Sequence, residues 1–329
     1  MTSTRPLRLY RLRRRHPTIY PAMRLVDLAK HPDDDALDHF YHNLIVPAFP
    51  NLDELDDLED WQIGLSLHRK DKHPKDPELH IIIAYEDNDA PDIADGEGSA
   101  KDAMPTLAQL GGAVYEWYPG PQGGTALLSY LVTSPHHRKR GVATTLIAHL
   151  AGVLSDQGVR VLIAETHKML VADGTDMDPK QRHVAFHRLG FAPVQMRYAQ
   201  PPVRADNSHS DDLLLIAHCG LLKSNGCWRE TLSRGDHNDS GDGGGAKVRR
   251  DECATSASPM VDASNLTIPS QMLQSYIDGF CGSVFGFDER HLFEKSAWYL
   301  DMAQQLDATP HKRVLNTLSP PWKDSVCDA

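Results

Sequence analysis

Residues 127–150 read LLSYLVTSPHHRKRGVATTLIAHL. The first part is an apolar run that ends at Pro135, as a buried strand does. A basic turn, Arg138, Lys139 and Arg140, then leads to Gly141. Beyond it Val142, Leu146, Ile147, Leu150, Val153 and Leu154 recur at helical spacing. That spacing predicts an amphipathic helix from about Gly141 to Asp156, ended by Gly158. The first turn of a helix leaves its backbone N–H groups without intrahelical acceptors and carries partial positive charge. Gly141 admits a ligand close to the backbone, Ala143 keeps the helix face small, and Thr144 adds a hydroxyl donor. With three cationic side chains alongside, the turn has the composition of a pyrophosphate cradle.

Working outward, Ala126–Thr133 and Leu110–Tyr118 flank a Pro119–Gly124 turn and predict an antiparallel hairpin. His80–Tyr85 is a compact strand with three consecutive isoleucines, and Met23–Leu28 is a further strand. Between them, Leu37, Phe40, Tyr41, Leu44 and Ile45 predict a helix stopped by Pro47 and Pro50. Asn51 and Asp53 open a second helix along Leu55, Leu58, Trp61 and Leu65. Downstream of the cradle follow a strand at Val159–Glu165, a helix begun by Asp178-Pro179 and ended at Leu189-Gly190, and strands at Phe191–Tyr198 and Leu213–Cys219. Glu86–Thr106 is weakly patterned and reads as a long loop.

The ends of the chain differ from its middle. From Met1 to Val26 there is no acidic residue, while seven arginines crowd together. That predicts a basic arm over 1–22, or an organelle transit segment. Residues 224–265 hold few apolar side chains and a Gly/Asp/Ser/Asn-rich core, which predicts disorder, strongest over Ser233–Ala263. Helical spacing returns at Met272, Leu273, Tyr276, Ile277 and Phe280, and again across Leu292, Phe293, Trp298, Tyr299 and Leu300. The domain reading is therefore 1–22 arm, 23–223 main domain, 224–265 linker, 266–310 helical segment and 311–329 tail.

Composition narrows the function. The 329 residues are 40% hydrophobic, with no apolar run long enough to span a membrane. A net charge of −11 argues against general nucleic-acid binding. The five cysteines show no CxxC spacing, as suits the cytoplasm, with a mitochondrial destination as the alternative if the basic start is a transit segment. No metal-ligand pattern stands out. Neither GxxxxGK[ST] nor a strand-following GxGxxG is present, which excludes the common nucleotide-binding loops.

Arg138-Lys139-Arg140-Gly141-Val142-Ala143 resembles the Arg/Gln-x-x-Gly-x-Gly/Ala pattern of the GCN5-related N-acetyltransferase (GNAT) superfamily. Leu131–Pro135 resembles that family's end-of-strand sequence, and His183–Phe191, HVAFHRLGF, its later helix and strand start. The element order from Met23 to Cys219 also fits, about two thirds of the chain. The resemblance implies an α/β (α+β) fold, with a mixed, mainly antiparallel sheet flanked by helices and a C-terminal helical extension. It further implies acetyl-CoA as acyl donor and an amine acceptor, a small molecule or a protein Lys or N-terminus. The cofactor would lie in a gap between the strands at Ala126–Thr133 and Val159–Glu165. Pantetheine would pair near Val132, and Arg138, Lys139, Arg140, Gly141, Val142, Ala143 and Thr144 would hold the pyrophosphate. Candidates for the base are Glu116, Glu165 and His167. Many family members carry a Tyr four residues before the Gly of the LGF corner, where it protonates the leaving thiolate. Here that residue is Phe186, and Tyr198 or Tyr130 is the candidate replacement, unless the thiolate leaves unassisted. A non-catalytic acyl-CoA-binding module is the alternative function.

Overall fold

The computed structural model describes residues 23–51, 55–66, 76–86, 108–171, 177–203, 209–224, 266–315 and 318–323. The expected basic arm, the loop after Glu86, the Ser233–Ala263 disorder and Asp53 all lie outside the described residues.

β1 (Met23–Asp27), β2 (Glu78–Glu86), β3 (Gln109–Tyr118), β4 (Thr125–Thr133), β5 (Val161–His167), β6 (Phe191–Pro193) and β7 (Leu213–His218) form one sheet in the order β1-β2-β3-β4-β5-β7-β6. Every neighbouring pair is antiparallel except β4 with β5. That parallel pair is short. It joins Thr125–Leu128 to Val161–Ala164, and beyond Leu128 and Ala164 the two strands part.

The alternating side chains of the strands feed two faces. On one face α4 (Val142–Asp156) buries Leu146, Ile147, Leu150 and Leu154 against Leu128, Leu162, Ala164, Leu214 and Ile216. The opposite face is covered by two groups of helices. Over its N-terminal strands lie α1 (Asp34–Phe40), which runs on through a π-helical turn into α2 (Val46–Ala48), and α3 (Leu58–Leu65). Over β4, β5 and β7 lie α7 (Ser270–Phe285) and α8 (Ala297–Ala308), with Met272, Leu273, Tyr276, Ile277 and Met302 set against Leu127, Val161, Ile163 and Leu215. The C-terminal segment thus completes the sheet's core, and a two-stranded ribbon of β8 (Thr267–Pro269) and β9 (His311–Arg313) ties its ends together.

Several expected boundaries move, among them the strand expected at Val159–Glu165, which runs over Val161–His167. α3 begins at Leu58, because Asp57 is still extended (φ −75°, ψ 147°), although Leu55 ahead of it is buried. The strand expected over Phe191–Tyr198 stops at Pro193: the Val194 N–H still donates to the Leu215 carbonyl of β7, but Val194 also bridges to Val314 and the Gln195 N–H donates to the Arg313 carbonyl at the end of β9. The end of β7 turns into a short helix, α6 (Cys219–Ser224). α5 (Pro179–Arg188) agrees with its signals: the Asp178 carboxylate accepts from the Lys180 N–H at 2.7 Å and Pro179 occupies the first turn.

Candidate active site

A cavity of about 1680 Å³ opens where β4 and β5 part. A single small-molecule site holds roughly 300–1,000 Å³, so this one has room for two ligands side by side. One end is the turn into α4. Arg138 is extended, Lys139 takes a left-handed conformation (φ 64°), and Gly141, also left-handed (φ 82°), caps the helix. L-residues with side chains rarely adopt that backbone, which is why glycine stands there. Arg138, Lys139, Gly141, Val142, Ala143 and Thr144 line the cavity, and so does Val132. Arg140 does not. Its guanidinium pairs with Glu86 at 2.8 Å and with His137 Nδ1 at 2.6 Å, so its side chain is turned away from the cavity.

The wall of the cavity over β3–β5 carries carboxylates. A bulge in β4 puts Ser129 between the pairs Tyr115–Leu128 and Val114–Tyr130, so Leu127 and Tyr130 share a face. Glu116 of β3 and Glu165 of β5 line the cavity, joined by Asp56 from the loop before α3. Glu116 Oε2 accepts from the Tyr118 hydroxyl at 2.5 Å. Burial raises the Glu116 carboxyl to about 7, and the nearby charges of Asp56 and Glu165 push the same way while the Tyr118 bond opposes them. Glu165 is more fully engaged. Its Oε1 accepts from the Tyr198 hydroxyl and, at 3.4 Å, from Tyr276, and its Oε2 accepts from Gln200 Nε2 at 2.6 Å.

Tyr198, a candidate replacement acid, stands behind Glu165 with its hydroxyl donating to that carboxylate, and is not among the described residues that line the cavity. Tyr130 does line the cavity, with its hydroxyl on Asp56. His167 lines it too, but its Nδ1 sits 3.1 Å from the Arg182 guanidinium, which only donates, so that nitrogen is an acceptor already in use. Phe186 faces the cavity and packs edge-on against Phe191 at 5.4 Å. Ser129 Oγ and Thr166 Oγ1 are buried without hydrogen-bond partners among the described residues.

Two residues of this wall escaped the sequence reading. Tyr118 lies two positions after Glu116, and the period-two rule places both on one face of β3. Asp56 is one acid in a run of acids, and only its tertiary partners single it out. Among the described residues no group of three or more His, Cys, Asp and Glu side chains is disposed to hold a metal ion. No helix of the described residues is long and apolar enough to cross a membrane.

Comparison with known proteins places this geometry. Residues 39–191 match the Acetyltransferase (GNAT) family, a shorter stretch than the motif-based likeness over Met23–Cys219. No curated protein matches the chain. Solved structures that resemble it include a GNAT-family protein from Bacteroides thetaiotaomicron, 19% identical over 59% of this chain and 86% of that one, with a TM-score of 0.38. A GNAT-family protein from Desulfovibrio desulfuricans is 19% identical over 60% of this chain and 98% of that one, with a TM-score of 0.35. A GNAT family acetyltransferase from Elizabethkingia anophelis, solved with acetyl-CoA bound, is 8% identical over 59% of this chain and 96% of that one, with a TM-score of 0.33. TM-scores this low leave the family match to stand by itself. Residues 39–191 of this chain are an acetyltransferase domain of the GNAT family, whose members take their acyl group from acetyl-CoA.

Proposed function

We propose that the chain transfers an acetyl group from acetyl-CoA to a primary amine by direct attack, with Glu116 as the base. The observation that carries this reading is the single cavity that joins the Gly141 turn to Glu116. The fit to acetyl-CoA rests on that turn, where a positive-φ glycine opens a 15-residue helix beside Arg138 and Lys139. Val132 offers backbone on the strand edge that β5 leaves at the fork, where the pantetheine arm would extend the sheet. The acceptor reading rests on charge. The cationic side chains lining the cavity, Arg138, Lys139, Lys180, Arg182 and Arg188, belong to the cradle and α5. The carboxylates Asp56, Asp60, Asp76, Glu116 and Glu165 line the remainder, which favours a positively charged amine there.

In the reaction the bound ammonium first gives one proton to solvent through cavity water; the lone pair of the free amine then forms the C–N bond at the thioester carbonyl carbon, and the carbonyl π pair moves to oxygen, where a backbone N–H near Val132 stabilises it until the carbonyl re-forms. The surplus N–H proton passes to Glu116. The C–S bond then breaks, the thiolate leaves with the bonding pair, and the proton on Glu116 returns to it through cavity water. A carboxyl that titrates near 7 is suited to this exchange, because it both takes and returns a proton at neutral pH. Glu165, with both oxygens hydrogen-bonded, serves here as a charge that holds the ammonium, and Tyr198 fixes its direction. The scattered cysteines suit a cytoplasmic enzyme, with the Arg-rich start leaving a mitochondrial one as the alternative.

The test is thiol release from acetyl-CoA across a panel of amines, with products identified by mass. Glu116→Gln should lower kcat by roughly 100-fold or more, and wild-type kcat/KM should rise with pH through about 7. One observation favours a second reading. Phe186, in place of the family's tyrosine, lines the cavity with no acidic proton, as a non-catalytic acyl-CoA-binding module would. Tight binding of acetyl-CoA with no thiol release for any amine would establish that reading instead.

A further inference from the structure

We propose that the C-terminal helix α7, outside the matched family segment, is part of the acceptor-side machinery, with Gly279 and Tyr276 as positioning residues for Glu116 and Glu165. The inference rests on the acetyltransferase reading for its consequence in catalysis and on geometry for its content. Gly279 stands in the middle of a 16-residue helix, where glycine is unfavourable relative to alanine. A Cβ at this position would come within 2.8 Å of Tyr118 Cδ1, so the Tyr118 ring lies directly on the helix backbone. Tyr276, one turn earlier, meets the same ring edge-on at 5.2 Å, and Phe280 stacks against it at 6.4 Å. Held on three sides, Tyr118 keeps its hydroxyl on Glu116 at 2.5 Å.

The second carboxylate is reached without an intermediary. The Tyr276 hydroxyl lies 3.1 Å from that of Tyr198 and donates to Glu165 Oε1 at 3.4 Å. Simple burial of the sheet explains Leu273 and Ile277, which contribute apolar surface alone. It explains neither a glycine shaped to one tyrosine ring nor a fully buried tyrosine whose hydroxyl points at a carboxylate. Both features aim at the two acids that line the cavity.

The experiment uses the full chain with three substitutions: Gly279→Ala, Tyr276→Phe and, as a packing control, Leu273→Ala. Carbon-13 spectra of the glutamate carboxyls, assigned with Glu116→Gln and Glu165→Gln, are followed against pH beside kcat, KM and acetyl-CoA affinity. Gly279→Ala should displace the Tyr118 donor, raise the Glu116 midpoint above about 7 by roughly half a unit or more, and lower kcat roughly tenfold. Tyr276→Phe should move the Glu165 carboxyl resonance and lower kcat roughly three- to tenfold. Acetyl-CoA affinity should stay within about twofold in both, since neither residue touches the cradle. Leu273→Ala should lower the melting temperature and leave the Glu116 midpoint in place.

Unchanged carboxyl spectra and pH profiles in a natively folded Tyr276→Phe would overturn the inference, as would an equal midpoint shift in Leu273→Ala. Tyr276→Phe removes only a hydroxyl, so refutation stays open even if Gly279→Ala fails to fold. Shifted spectra in a chain that acetylates no amine would support the positioning role and remove the catalytic reading.

Discussion

Asp56 and Tyr130 hold each other at two points: the Asp56 backbone N–H donates to the Tyr130 oxygen at 3.1 Å, and the Tyr130 hydroxyl donates to Asp56 Oδ2 at 3.1 Å. Trp61 Nε1 adds a donor to Oδ2 at 3.3 Å, and the Tyr130 ring packs edge-on against Trp61 at 5.4 Å. The Asp56 charge is thereby fixed on the wall assigned to the amine. Tyr130→Phe keeps the ring and removes the donor to a charged group, a loss worth about 1.5–3 kcal/mol. The expected outcome is an acceptor KM raised roughly tenfold with acetyl-CoA affinity unchanged. Steady-state kinetics with each substrate varied in turn would check it, and equal changes in both KM values would assign Tyr130 to packing alone.

The cradle carries a prediction of order. Gly141→Asp places a side chain on a backbone with φ 82° and a negative charge against the phosphates. It should weaken CoA binding by about 100-fold or more, a change of about 3 kcal/mol. Arg138→Ala should cost less, about two- to fivefold, because Arg138 is exposed and its charge is screened by solvent. Calorimetric titration of CoA into the three proteins measures the order directly. Equal losses would point to a charge patch in place of a site built on main-chain donors.

Glu116 ties stability to pH. Its carboxyl titrates near 4.5 when unfolded and near 7 when folded. Between those values the folded state binds the extra proton, so stability falls as pH rises through the window and is lowest above 7. The full span is about 3.5 kcal/mol at most. Glu116→Gln removes the ionisation and still accepts from Tyr118. Its melting temperature should exceed that of the wild type at pH 8 and approach it at pH 4.5. A constant difference across that range would show that burial does not hold the carboxyl up.

The tail makes a mechanical prediction. Trp322 is 1% exposed, stacks on His183 at 5.0 Å, and its backbone N–H donates to His183 Nδ1 at 3.2 Å. The other His183 nitrogen meets the carbonyl of His167 at 2.8 Å. The chain end therefore props α5 against β5. Trp322→Ala should destabilise the protein by about 3 kcal/mol. Urea titration would check this, and a loss under about 1 kcal/mol would mean that the tail is dispensable.

What could be read from sequence was the part built from near neighbours. Gly141, Asp178-Pro179 and the apolar spacing of Val142–Leu154 state their conformations locally, and the structure places α4 and α5 accordingly. What escaped depends on partners far along the chain. Met196, Tyr198 and Ala199 are buried beneath α7 and α8, not by strand pairing, and apolar spacing cannot tell the two apart. Arg140 turns to Glu86, 54 positions away, and Asp56 is singled out from its acidic neighbours by Tyr130, 74 positions away. That the Tyr198 hydroxyl donates to Glu165, 33 positions earlier, is likewise a long-range contact that spacing does not show.

Beyond Leu128 and Ala164, β4 and β5 give up pairing that would have continued the sheet. The main-chain amides that face the gap are closed only when another extended chain lies between them. Their exchange with deuterated solvent should therefore be quick in the empty protein and slow once acetyl-CoA is added, at those amides of 129–133 and 165–167 that do not already bond to β3 or β7. Ligand binding should also raise the temperature of unfolding, because the occupied fork supplies bonds that the chain cannot make alone. On the proposed reading, the acyl donor would be, for the time it stays, a structural member of the sheet that acts on it.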